Sequence, residues 1–332
     1  MKKLCKRGLL LVASLAVCLS LHSPSFAAKL SAEELAKFNA VGIGTGSVGS
    51  TFYAVGGGFA NVWKELGVRA AVEVTGGSIQ NCLLVGSGQL KSALISQGAA
   101  YQAWKKEGLF KDHPAQEALR AALPLQSSLI HGWTLDPKIL TYRDLGNKIV
   151  SGGPAGGTSE EYNKAILNGL GIKPKRYLNA GFADTTGQLG DGLLEAVFCS
   201  MGVPTGAAAE AASTLNAKII GVHPDDFAAI QKILPFLVPS EVPAATYAGQ
   251  TNPVPTLADL NIYFFHKDVP EEIVYKFVKQ AYESKEMLIN TFAGLVVMRP
   301  ENVKNIRMPL HPGAYRYYKE IGAEVPQNIV PQ

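Results

Sequence analysis

Cysteine is scarce in this chain, and half of it lies in the first 27 residues: Cys5 and Cys18 there, Cys82 and Cys199 beyond. Cys82 and Cys199 could form one disulfide, but they fall in separate strand-turn-helix units, so two buried free thiols are expected. No CxxC pair, HExxH helix or His/Cys cluster occurs, which removes the usual frameworks for a structural metal. The six histidines are scattered from His22 to His311, and Ser200 has none near it in sequence. Nothing therefore groups a nucleophile with a base and an orienting residue. Charge is also sparse, at 17% of the chain against about 25% in an average soluble protein, so more of the chain than usual must be buried. The apolar run over 9–21 falls short of the roughly twenty residues that a membrane span needs.

That run belongs to a leader. Lys2, Lys3, Lys6 and Arg7 precede it, and Ser25-Phe26-Ala27 comes after it with small residues suited to cleavage before Ala28. A secretory signal peptide over 1–27 is expected, and hence a periplasmic protein. Val17 is bulky where a small residue would precede a lipid-bearing Cys18. Cleavage takes four of the 31 basic residues and none of the 27 acidic ones, leaving 27 of each. The pI near 8.7 thus describes the precursor, and nothing calls for a nucleic-acid partner. Removing 27 of 332 residues leaves a chain long enough for two cores.

The stretch Val41-Gly42-Ile43-Gly44-Thr45-Gly46-Ser47-Val48-Gly49-Ser50-Thr51-Phe52-Tyr53 organises the rest of the chain. A strand over 38–43 runs through a glycine turn into a helix whose apolar face carries Phe52, Val55, Phe59, Val62 and Leu66. Strand, turn and helix recur at 69–74, 75–78 and 79–85, and again at 92–96, 97–98 and 99–107. An apolar stretch over 121–134, with His131 as a structural residue, crosses to a second set of units. That set has strands at 148–151, 176–178, 195–199 and 218–222 and helices at 160–170, after 183–186, at 206–215 and at 226–234. Prolines 235, 239, 243, 253 and 255 exclude regular helix, so 235–255 reads as an extended return crossing. A strand over 260–266, a helix from Pro270 to about Glu283, and a turn with a final helix near 308–322 complete the first lobe. The division is a signal peptide at 1–27, the first part of lobe 1 at 28–130, lobe 2 at 131–236, and the return crossing with the rest of lobe 1 at 237–332. The lobes should hinge near 126–134 and 236–250.

Six turns, at 44–53, 75–81, 96–100, 152–159, 181–186 and 199–205, contain no lysine or arginine. In parallel sheets such turns gather at the strands' carboxyl ends, and the helix N-termini beyond them present unpaired N–H groups and a partial positive charge. A small carboxylate could be held there without a cationic side chain. The expected ligand-binding residues are Gly44, Thr45, Ser47, Ser50, Thr51, Tyr53, Thr75, Gly77, Ser78, Gln97, Gly157, Thr158, Ser159, Ser200 and Tyr247. Some of these hydroxyls should simply cap helices. Asp184 is the one acid within the turns and could meet an amino group. Tryptophans 63, 104 and 133 read as core residues, and His223 and His266 as turn residues.

In order along the chain stand Ile43-Gly44-Thr45-Gly46 through Phe52-Tyr53, then Glu73-Val74-Thr75-Gly76-Gly77-Ser78, then Gly156-Gly157-Thr158. Val242-Pro243-Ala244-Ala245-Thr246-Tyr247-Ala248-Gly249-Gln250 and Pro309-Leu310-His311-Pro312-Gly313-Ala314 come next. Together these resemble the solute receptors of TAXI-type TRAP transporters over essentially the whole mature chain. The resemblance implies an α/β, periplasmic-binding-protein-like fold with a ligand cleft between two lobes. It also implies capture of an organic acid or amino acid, such as glutamate or 2-oxoglutarate, and delivery to the small and large, or fused, subunits of an ion-gradient-driven permease. No enzymatic activity and no cofactor are expected, and the protein should act as a monomer. The chain departs from the family in having Gln97-Gly98 where an acidic residue is common after the glutamine, and Ser47-Val48-Gly49 where Thr-Gly-Gly is common.

Two other readings compete. Gly44, Gly46 and Gly49 spell the dinucleotide fingerprint, with Glu73 ending the next strand, as in an exported nicotinamide oxidoreductase. Against that reading, Glu73 lies further from the glycines than the usual spacing of about 20 residues. The same fold could also present a ligand to a membrane sensor.

Overall fold

The computed structural model describes residues 29–114 and 116–331; the expected signal peptide at 1–27 lies outside them. A short helix, α1 (Ala32–Lys37), opens the described chain behind a capping box in which Ser31 and Glu34 satisfy each other's backbone N–H. Strands β1 (Ala40–Gly44), β2 (Arg69–Glu73) and β3 (Ser92–Ser96) then alternate with helices α2 (Thr51–Glu65), α3 (Ser78–Gly86) and α4 (Gln97–Lys105). Both β2 and β3 pair with β1 in parallel, one on each side. The chain therefore reverses its direction of travel at β1, and a crevice opens at the carboxyl ends of β1 and β3.

Strand β4 (Leu119–Thr134) carries the chain out of this lobe. The second lobe alternates β5 (Ile149–Ser151), α5 (Thr158–Gly169), β6 (Arg176–Leu178), α6 (Thr185–Gly190), β7 (Ala196–Met201), α7 (Gly206–Leu215), β8 (Lys218–Ile220) and α8 (Phe227–Gln231). Here β5 lies between β6 and β7, parallel to both, which makes a second point of reversal. Strands β9 (Val238–Val242) and β10 (Val254–His266) pair antiparallel, and β10 runs back into the first lobe. Helices α9 (Glu271–Glu283), α10 (Lys285–Thr291) and α11 (Pro312–Glu320) complete that lobe. All ten strands form one sheet, ordered β2-β1-β3-β10-β4-β7-β5-β6, with β8 on β4 and β9 on β10.

The proline-rich stretch is more regular than expected. Pro239 sits opposite Leu257 in the β9–β10 ladder, which tolerates proline because β9 is an edge strand with one neighbour. Val242, Tyr247 and Ala258 pack into the second lobe's core, so the return passage lies near 258–262 rather than 236–250. There β10 and β4 lie side by side, with a bulge that sets residues 125 and 126 against Asn261.

One large core fills the first lobe, built on Trp63, Phe59, Tyr263, Phe265 and Phe277. The second lobe has two. Val197, Cys199 and Met201 of β7 enter one, while Ala196 and Phe198 enter the other, as the alternation of a strand buried on both faces requires. Glycines in α2 mark close approaches. A methyl group at Gly56 would stand 2.3 Å from the Thr45 methyl, and one at Gly58 would press on Leu288, which offsets the roughly 1 kcal/mol that each helical glycine costs against alanine. The thiols of Cys82 and Cys199 are free and buried, Trp63 and Trp133 are core residues, and His223 and His266 each accept a backbone N–H in a turn.

Candidate functional site

The two crevices face each other across the cleft between the lobes. About 490 Å³ of space not filled by atoms, part of it open to solvent, lies between them. Nine of the expected residues line it: Ser47, Ser50, Thr51, Gly77, Ser78, Gly157, Thr158, Ser159 and Ser200. Gly46, Phe52, Gly76, Ser96, Ser128, Pro154, Phe182 and Met201 complete the lining. No ionisable side chain is among these residues.

Several hydroxyls satisfy the turns that carry them. Ser50 caps α2 by accepting from Tyr53 N at 3.3 Å, Ser78 Oγ accepts from Ser96 N at 2.8 Å, and Ser159 Oγ from Ser200 N at 3.0 Å. Others reach across the cleft. Thr51 Oγ donates to Gly202 O at 2.8 Å; Thr158 Oγ accepts from Ile79 N at 3.1 Å, and Thr158 N donates to Gly76 O at 3.2 Å. The lobes are thus drawn together, and an orphan N–H at the start of α3 is met by a side chain of the other lobe. Gly49, at φ 84°, brings the first turn close enough for its carbonyl to lie near Gly206.

The remaining expected residues lie elsewhere. Gly44, Thr45 and Thr75 belong to a buried knot beneath the cleft: Thr45 O accepts from Thr75 Oγ and from Asn81 Nδ2, which also reaches Leu94 O. A Cβ at Gly44 would stand 2.7 Å from Asn81 Oδ1, so glycine is required there by a neighbour rather than by a ligand. Tyr53 is 38% exposed on the surface. Gln97 Oε1 accepts from Arg307 N outside the cleft. Tyr247 is buried behind the second lobe's turn, its hydroxyl accepting from Thr205 N at 2.8 Å and meeting His131 Nε2 at 3.0 Å. His131 also contacts Leu129 O, and burial lowers its pKa to about 4, so it is a neutral structural residue.

Sequence reasoning missed two groups. Ser128 and Met201 sit on β4 and β7 at the base of the cleft, and Phe182 in a turn; only the position of Phe182 and Met201 within loops already singled out pointed to them. The second group shapes the walls. Glu160, nearly buried in the first turn of α5, accepts from Gly156 N, Asn179 Nδ2 and Lys164 Nζ. Burial raises its pKa, but those partners outweigh it and the net shift is downward. Asp259 is 1% exposed at the lobe junction, accepting from Gly98 N of one lobe at 3.1 Å and from the Tyr162 hydroxyl of the other at 3.2 Å. Burial pushes its pKa up to about 7 despite these bonds.

Two α/β lobes joined by paired crossing strands, with opposed points of reversal and a small uncharged cleft between, define the periplasmic-binding-protein type of fold. The chain belongs to the NMT1-like family, whose profile matches residues 43–322. In shape it is similar to an ancestral arginine-binding protein bound to arginine, at a TM-score of 0.46 and 14% identity over 77% of this chain and 98% of that one. The P235GK mutant of ArgBP from T. maritima gives 0.48 and 13% over 79% and 98%. The substrate binding protein of an amino acid ABC transporter gives 0.47 and 13% over 76% and 99%. Likeness at this level does not extend to the ligand. No helix among the described residues is long and apolar enough to cross a membrane.

Proposed function

We propose that the protein is the extracytoplasmic receptor of a TAXI-type TRAP transporter. It captures a small carboxylate of the glutamate or 2-oxoglutarate class and hands it to an ion-gradient-driven permease. The observation that carries this reading is the lining of the cleft: glycines and hydroxyls from both lobes, set among Phe52, Pro154, Phe182 and Met201, with no charged side chain. Such a lining suits one or two carboxylates held by backbone donors and helix N-termini, each of which presents about half a positive charge. Water and hydroxyls then supply the remaining bonds. The leader at 1–27 and the five ordered segments support the transporter assignment.

A melting-shift screen tests it. Glutamate and 2-oxoglutarate, beside neutral sugars, polyamines and nicotinamide cofactors, are each added to the mature protein. A carboxylate at about 1,000 times its dissociation constant stabilises the fold by roughly 4 kcal/mol, a shift of several degrees. A shift with sugars or polyamines and none with the acids would sink the carboxylate reading. A specific shift with a nicotinamide cofactor would favour the oxidoreductase.

A further inference from the structure

The cleft ends at the crossing strands, and there one side chain stands out. Gln126 is 5% exposed, and both its amide nitrogen and its amide oxygen are buried without a hydrogen-bond partner. It is the one side chain among the described residues in which a donor and an acceptor are orphaned together. The residue occupies the bulge where β4 slips against β10, two positions before Ser128 of the cleft lining. Its amide nitrogen lies 3.4 Å from where a Cβ on Gly202 would stand, and the Thr51 methyl lies 2.8 Å from that same point. Gly202 is next in sequence to Met201 of the lining, and Thr51 belongs to the lining itself. The amide therefore sits beside the seam that the Thr51–Gly202 hydrogen bond closes.

A primary amide offers two N–H donors and one carbonyl acceptor, and leaving both kinds unpaired in a dry site opposes closure. We infer that Gln126 is a specificity-determining residue of the cleft, donating to the ligand's carboxylate and accepting from an ammonium on the same ligand. The inference rests on the carboxylate reading and deepens it: the favoured ligand is an α-amino acid rather than its 2-oxo counterpart. An oxo acid has acceptors only, so it satisfies the amide nitrogen and leaves the oxygen bare. Neither Gln126 nor Asp184 is itself among the lining residues; Gln126 stands beside Thr51 of the lining, whereas Asp184 is exposed at the start of α6.

The test compares wild type with Gln126→Met, a change of similar volume without the amide. Both are melted alone and titrated with L-glutamate and with 2-oxoglutarate. Alone, the variant melts no lower than wild type, because the amide it loses has no partner. Wild type binds glutamate more tightly by about tenfold, the scale set by leaving one buried acceptor without a partner. In the variant the two dissociation constants come together. A variant that melts several degrees lower without ligand, equal binding of both acids by wild type, or a preference that survives the substitution would each overturn the assignment of Gln126. Two acids that bind wild type equally leave the carboxylate reading standing; two that do not bind at all remove that reading and the inference with it.

Discussion

Trp63 in the first lobe stacks on Phe277 with ring centroids 4.3 Å apart, and its indole N–H reaches the Tyr263 hydroxyl at 3.0 Å. Trp133 in the second lobe is as deeply buried, but its N–H has no partner. The contrast extends to the surroundings. Tyr263 in turn donates its hydroxyl hydrogen to Ser92 Oγ, whereas the second lobe also leaves Asn163 Nδ2 unpaired and divides its apolar residues between the two faces of the sheet. The lobe that holds α1 and α9 to α11 is thus one continuous core, in which His311 Nε2 is the one unpaired buried side-chain atom among the described residues. The lobe between the crossings is assembled from thinner layers with unpaired polar atoms, which places it nearer the low end of local stability.

The largest test of that contrast is Trp63→Ala, expected to cost about 3–5 kcal/mol in denaturant unfolding. The sharper test is the pair Trp63→Phe and Trp133→Phe. The first breaks a satisfied network and the second removes an unpaired donor, so Trp133→Phe should be the milder by about 1 kcal/mol or more. Equal losses would erase the distinction between the cores.

Protonation separates the junction from both lobes. Asp259 has its pKa raised to about 7, so the native state keeps a proton that the unfolded chain releases above about 4. Its contribution is full below the unfolded value and is lost as pH rises to about 7. Asp259→Asn should then gain up to roughly 4 kcal/mol at pH 8 and nothing near pH 4, read from urea melts at the two values. His131 and His311, one in each lobe, behave oppositely: burial lowers each to about 4, so each costs stability as pH falls from about 6.5 to 4. From these three groups, wild type should lose about 1.4 kcal/mol per pH unit in that window, and Asp259→Asn about twice that. An unchanged slope would mean that Asp259 is ionised in the native state.

The smallest effects belong to the contacts across the cleft. Thr51→Val and Thr158→Val each remove an interlobe hydrogen bond, at about 1 kcal/mol. Small-angle scattering of the double variant should show a larger radius without ligand; an unchanged profile would show that these bonds do not hold the lobes together.

Local structure was legible where it is local in origin. The strands at 92–96 and 176–178 and the helix at 206–215 coincide with the observed elements, because apolar periodicity and flanking glycines are properties of the segment itself. The cleft was legible in part: nine of the expected residues line it. What could not be read is set by distant partners. Thr45 and Thr75 turn inward because Asn81 ties the ends of β1 and β3, Tyr247 because Thr205 and His131 claim its hydroxyl, and Gln97 turns away because its Oε1 accepts from Arg307 N. The pairing of β9 with β10 was hidden by prolines that an edge strand accommodates.

The adjacency of β4 and β10 at the junction governs how the molecule can deform. Two separate linkers would allow the lobes to slide, swivel and part independently. Two strands laced to each other at 128–129 and 258–259 form a ribbon instead, stiff along its length and against shear in its plane. What remains soft is flexure across the ribbon, at the bulges beside Asn261 and at Ala122, where the ladder skips a rung. Such a ribbon favours opening like the covers of a book over sliding, with Gln126 in the fold of the page.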